Sequence, residues 1–212
     1  MGTDRAELID CLVQVTGAWN CEPQVLFLAV QIMDRYASQE EIDVDEFYRI
    51  GALALFLASK HDGKACNNKL YRVSSLVKEN LIFTSSRFPY FKEVCQLLMN
   101  YVIDFLKSGL GRSGVPAREV LVSTESRVLH ALNFQISGPT SFSFLQRFLT
   151  IVNPSEDTKK RALYFLECTL YIEGLLNYRP SAVAATVVCL AIQSPVSSDI
   201  GPESMVRKSV CV

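Results

Sequence analysis

The chain has 212 residues, 49% of them hydrophobic, enough to bury a sizeable core in one domain or two small ones. Lys and Arg number 21 against 22 for Asp and Glu, a net charge of −1, so there is no basic footprint for a phosphate backbone and nucleic acid is not an expected partner. The longest apolar runs, such as residues 181–192, fall far short of the ~20 residues of a membrane span, and the first residues carry no basic-then-apolar signal pattern; the expected setting is nucleus or cytoplasm, with no membrane association.

Apolar residues recur at spacings of three and four almost throughout, and alternating strand patterns are missing, so the fold class is expected to be all-α. Ala6, Leu8, Ile9, Leu12, Val13 and Val15 share one face of a first helix, and Glu22-Pro23 opens a second over residues 24–38 by placing proline near its first turn. Residues 45–60, DEFYRIGALALFLASK, are acidic at the start and basic at the end, and Ala52, Ala54 and Ala58 are small enough for close approach of another helix. A further amphipathic helix is predicted over residues 87–107, with Pro89 near its start and Gly109 past its end. Pro116 opens a segment running to about Phe134, and helices over residues 139–150, 156–178 and 180–193 follow. The Ser/Pro/Gly-rich residues 194–212 read as a disordered tail.

Several motifs point to chemistry less than they first suggest. Gly109-Leu110-Gly111-Arg112-Ser113-Gly114 fits G-x-G-x-x-G but follows a helical pattern where a strand is needed, and reads as a helix exit. Lys78-Glu79-Asn80 spells a three-residue degradation signal of a kind common by chance. The seven cysteines (11, 21, 66, 95, 168, 189, 211) form no C-x-x-C pair and mostly lie in apolar helical stretches, as reduced core residues do. His61 and His130 have no nucleophile or ligand partner at useful spacing, and His130, on an otherwise apolar helix, reads as packed. No metal, cofactor or catalytic residue is expected, and the chain reads as a non-enzyme.

Three stretches taken together resemble a cyclin of the mitotic A/B type: DRAELIDCLVQVTGAWNCEPQVLFLAVQIMDRYAS at residues 4–38, GALALFLASK at 51–60, and ESRVLHALNFQISGP at 125–139. A softer match, at residues 164–191, covers Leu166-Glu167 and the run from Tyr178 to Ala185. The resemblance implies a cyclin fold: an N-terminal five-helix box over residues 1–136 with a helical insertion at about 64–115, and a truncated C-terminal box over 137–193 holding three of the family's five helices. Arg5 and Asp34 match a structural ion pair of the family. Lys60 and Glu125 match a Lys and a Glu that lie together and grip the kinase, and Phe134 and Ile136 match apolar positions that pack on it, although an aromatic at a helix end is more often core. The implied function is a regulatory subunit that binds and activates a cyclin-dependent protein kinase in cell-cycle control, as a heterodimer with it. An interaction module that does not activate a kinase remains the alternative.

The chain also departs from the family. The substrate-docking groove is degraded: its positions read Asp4, Glu7, Leu8, Cys11 and Gln14, so a charged, shallow surface is expected where the family has a dry one. After Lys60 the family's Phe-Glu-Glu is replaced by His61-Asp62-Gly63, removing one aromatic kinase contact, and the short second box should leave residues 180–193 with an uncovered apolar face.

Overall fold

The computed structural model describes residues 2–18, 20–61 and 115–194. Their elements are α1 (Gly2–Ala18), α2 (Pro23–Ala37), α3 (Val44–His61), α4 (Val115–Ala131), α5 (Ser141–Val152), α6 (Glu156–Thr169), a short 3-10 turn (Glu173–Asn177) and α7 (Pro180–Gln193), with no strand among the described residues. The insertion at 64–115, its helix at 87–107, the G-x-G-x-x-G and Lys78-Glu79-Asn80 motifs and, after Ser194, the tail lie outside the described residues, apart from Val115, which opens α4.

Local chemistry sets the helix starts. Pro23 and Pro180 stand in the first turns of α2 and α7, where a missing N–H deprives no hydrogen bond. The Asp43 carboxylate accepts from Glu46 N–H at 2.6 Å ahead of α3, Thr140 Oγ1 accepts from Ser143 N–H at 3.2 Å, and Ser155 Oγ accepts from Thr158 N–H at 3.4 Å. Three of the exits use asparagine. Asn20, Asn133 and Asn153, after α1, α4 and α5, all have left-handed backbone, with φ of 50°, 51° and 44°. After α4, Asn133 N–H donates to His130 O and Phe134 N–H to Leu129 O, the paired bonds of a Schellman exit.

Two apolar clusters form. The first is built from α1, α2, α3 and the end of α4 around Leu8, Ile9, Leu12, Ile32, Met33, Tyr36, Ile50 and Leu53, with Ala52, Ala54 and Ala58 buried in it as the sequence predicts. The second joins α5, α6 and α7 through Phe142, Leu145, Ala162, Leu166, Ala184, Val187 and Val188, and it includes one residue of α2, Phe27. Phe27 stacks on Phe142 with ring centroids 5.6 Å apart, so the two clusters meet through an aromatic pair.

Four expectations need correction. The helix expected over 156–178 ends at Thr169, because the Leu170 carbonyl is taken by Arg5 and Ile172 turns extended, after which only the 3-10 turn follows. The segment expected to run to Phe134 ends at Ala131, where the left-handed Asn133 and Phe134 stop it. Cys189 is exposed on α7 and Cys21 and Cys168 are only half-buried, leaving Cys11 as the one fully buried thiol among the described residues. His130 is exposed, not packed inside. The uncovered apolar face on α7 is present: Leu190 and Ile192 stand about half exposed.

Candidate functional site

Lys60 lies in the last turn of α3, where the helix dipole favours a cation. One turn earlier on the same face is Phe56, and Lys60 Nζ lies 4.0 Å from its ring centroid. α4 brings Glu125 against it from 65 positions away: Lys60 Nζ donates to Glu125 Oε1 at 3.2 Å. The lysine side chain keeps 52% of its surface and the glutamate 21%, so the pair is presented at the surface with its carboxylate partly sheltered. Two residues further along α4, Arg127 pairs with Glu46 at the start of α3, a second tie between the same helices across 81 positions.

Just past α4, Phe134 is held outward. It is 63% exposed, so the core reading fails, and its φ of 57° is unusual for an aromatic residue, a strain of about 1–3 kcal/mol for such backbone. The Schellman bonds fix the backbone, and the His130 ring meets the Phe134 ring edge-on at 5.0 Å. His130 is itself locked to the helix through Nδ1 and Ser126 O at 2.7 Å. Arg35 Nη1 donates to Gln135 O at 2.7 Å, which pins the segment to α2. Ile136 is partly buried against the first cluster, so it offers less surface than Phe134.

The ion pair of Arg5 and Asp34 forms as expected. Nε and Nη2 of Arg5 each donate to a different carboxylate oxygen of Asp34 at 2.8 Å, and the third donor, Nη1, reaches Leu170 O at 2.6 Å. This last bond had no signal in the sequence, because a carbonyl belongs to every residue.

The degraded docking positions fall elsewhere than on an apolar surface. Leu8 and Cys11 are fully buried in the first cluster, and Gln14 is half-buried, donating to Asp10 Oδ2 at 3.5 Å. Glu7 accepts from Tyr48 OH at 3.3 Å. Burial, followed by the nearby charges of Glu7 and Asp4, pushes the Tyr48 hydroxyl well above its ordinary range, while burial pushes the Asp10 carboxyl up against the opposing hydrogen bonds from Tyr171 and Gln14. What α1 offers to solvent here is acidic and polar.

Among the described residues no group of three or more His, Cys, Asp or Glu side chains is arranged to hold a metal ion, and no helix is long and apolar enough to cross a membrane. The two clusters, the paired Arg5 and Asp34 and the surface pair of Lys60 and Glu125 define a two-box helical protein of the cyclin-fold class.

The comparisons carry this to a family. Residues 2–137 match the family model "Cyclin, N-terminal domain" and residues 139–203 match "Cyclin, C-terminal domain", and the chain belongs to the cyclin family. It is 29% identical over 181 residues, 85% of its length, to the G2/mitotic-specific cyclin-3 of Saccharomyces cerevisiae, of which that covers 34%. It is 28% identical over 192 residues to a Cyclin-A1-2 of Oryza sativa subsp. japonica, covering 88% of this chain and 33% of the relative. With a Cyclin-B1-3 of the same rice it shares 25% identity over 200 residues, 92% of this chain and 35% of that protein. The chain thus spans about a third of the length of the curated relatives it matches.

Proposed function

We propose that this chain is a regulatory subunit that binds and activates a cyclin-dependent protein kinase in cell-cycle control, in the nucleus or cytoplasm, and that the chemistry stays in the kinase. The observation that supports this best is the surface made by the ends of α3 and α4, with Lys60 held by Glu125 and Phe134 held outward against backbone strain. A solvent-exposed ion pair contributes about 0–1 kcal/mol to folding, and an exposed left-handed phenylalanine opposes it. A partner that covers the aromatic and receives the ammonium gives both features a use.

The mechanism is a population shift. A kinase is inactive while its αC glutamate is swung away from the β3 lysine, and a protein that binds only the swung-in form raises the fraction of active molecules. Interfaces of this kind bury about 2,000 Å² or more, with Lys60, Glu125 and Phe134 at the centre and Ile136 behind them. The acidic surface of α1 and the burial of Leu8 and Cys11 argue against capture of a substrate leucine there.

The test is a pull-down of this protein with monomeric cyclin-dependent kinases, coupled to a phosphorylation assay. Wild type is expected to bind and activate, and Lys60→Ala and Glu125→Ala each to lose at least about tenfold in affinity, as truncation of a central charged contact does. Binding without activation would favour the interaction-module reading, and no binding to any such kinase would overturn both the role and the site.

A further inference from the structure

The two boxes do not close on each other completely. Between α2 and the 3-10 turn lies a cleft of about 470 Å³, within the range of about 300–1,000 Å³ typical of binding clefts. Val30 and Val183 line it, and Ile172, Leu176 and Tyr178 stand at its edge with 53%, 54% and 64% of their surface exposed. No residue of the 3-10 turn is buried, so Leu175 and Leu176 leave apolar surface to water on this wall, beside the polar Asn177.

Its charge is equally one-sided. Asp34 is neutralised by the two-pronged bond from Arg5. Arg35, the next residue, also lines the cleft; it donates to the Gln135 carbonyl but takes part in no ion pair with any described residue. Among the described residues this guanidinium therefore has no ion-pair partner, and the cleft beside it is lined by Val30, Leu175, Leu176 and Val183 together with polar Ser38, Thr140 and Asn177. The amide of Gln31 on the same wall is poorly satisfied too, with Oε1 buried and unpartnered and Nε2 making only a 3.5 Å bond to Pro139 O.

We infer that this cleft is a docking site for an extended peptide of a partner protein, which places one large apolar side chain between Val30 and Leu176 and sets an adjacent carboxylate on Arg35. Arginine's fork suits a carboxylate in two-point contact and repels a basic peptide. Lys60 and Glu125 take no part in this cleft, but Arg35 also holds the Phe134 segment through Gln135 O, so Leu176→Asp, which leaves that bond in place, is the variant that separates this site from the activator reading.

Two fluorescein-labelled decapeptides of Gly/Ser background, one carrying Leu-Phe-Asp-Asp and the other Leu-Phe-Lys-Lys, test it by anisotropy titration against the whole chain. The acidic probe is expected to saturate below about 1 mM and the basic one to bind at least about tenfold more weakly. Leu176→Asp should weaken the acidic probe by about tenfold or more, and Arg35→Glu should invert the preference between the two probes. Both variants change surface or half-buried side chains, and an unchanged Tm confirms that they fold. Saturation by neither probe, equal binding of the acidic probe by wild type and both variants, or a dimer in light scattering that Leu176→Asp disperses would overturn the proposal, the last by giving the cleft to a second copy.

Discussion

Arg5 joins three distant points of the chain at once: its own helix, Asp34 on α2 and the carbonyl that ends the α6 region. Its side chain is only 8% exposed and that of Asp34 15%, so removing one partner leaves a charge stranded in a poorly solvated place. Asp34→Ala is expected to destabilise the protein by about 3–5 kcal/mol in urea unfolding, whereas the charge-removing but hydrogen-bonding Asp34→Asn should lose less. Much of this scale was legible in the sequence. Arg5 with Asp34 and Lys60 with Glu125 were recognised because they sit in register within matched motifs. Arg127 with Glu46 was not, since nothing in a helical pattern says that two charges 81 positions apart will meet. Phe134 was legible as a candidate contact but not as a strained one; the asparagine before it is the signal that announces a left-handed exit.

At the scale of elements, the approach of α1 to α3 depends on Gly51. A Cβ built there would stand 2.7 and 2.8 Å from the Cδ atoms of Leu8, which has no exposed surface and nowhere to withdraw. Gly51→Ala gains about 1 kcal/mol in helix propensity and loses about 1–3 kcal/mol to overpacking, a net loss of about 1 kcal/mol. In a Leu8→Ala background the collision is gone, and the same change should become stabilising; a double-mutant cycle in chemical denaturation reads the reversal. The sequence pointed to the alanines of α3 as the close-contact residues, and they are buried, but the glycine beside them, which has no room for a Cβ against Leu8, was not singled out. The overlong α6 shows the opposite weakness. Apolar spacing continues past Thr169, yet the backbone turns because Arg5, far away in sequence, claims the carbonyl of Leu170.

For the whole molecule, the joint between the boxes is small. Besides Arg5, it includes the Phe27 and Phe142 stack, Thr140 Oγ1 donating to Gln24 Oε1 at 3.0 Å, Tyr171 OH donating to Asp10 Oδ1 at 3.3 Å, and Leu170 packed against the first cluster. Phe27→Ala should lower stability by about 3–5 kcal/mol, and hydrogen exchange should show the amides of α5 and α7 losing more protection than those of α1 and α3, because Phe27 is a buried member of the second cluster. The all-α class was readable from periodicity, and the two-part arrangement was expected only through the resemblance; the joint was not readable, since a stacked pair leaves no periodic trace. The bond from Arg5 to Leu170 also fixes an order of events on the ribosome. Asp34 follows Arg5 by 29 positions and Leu170 by 165, which at synthesis rates of about 5–20 residues per second separates the two partners' appearance by several seconds to half a minute. Throughout that interval a nascent first box exposes Phe27 and an arginine with one donor unused, so the young chain displays to chaperones a face that the finished protein conceals.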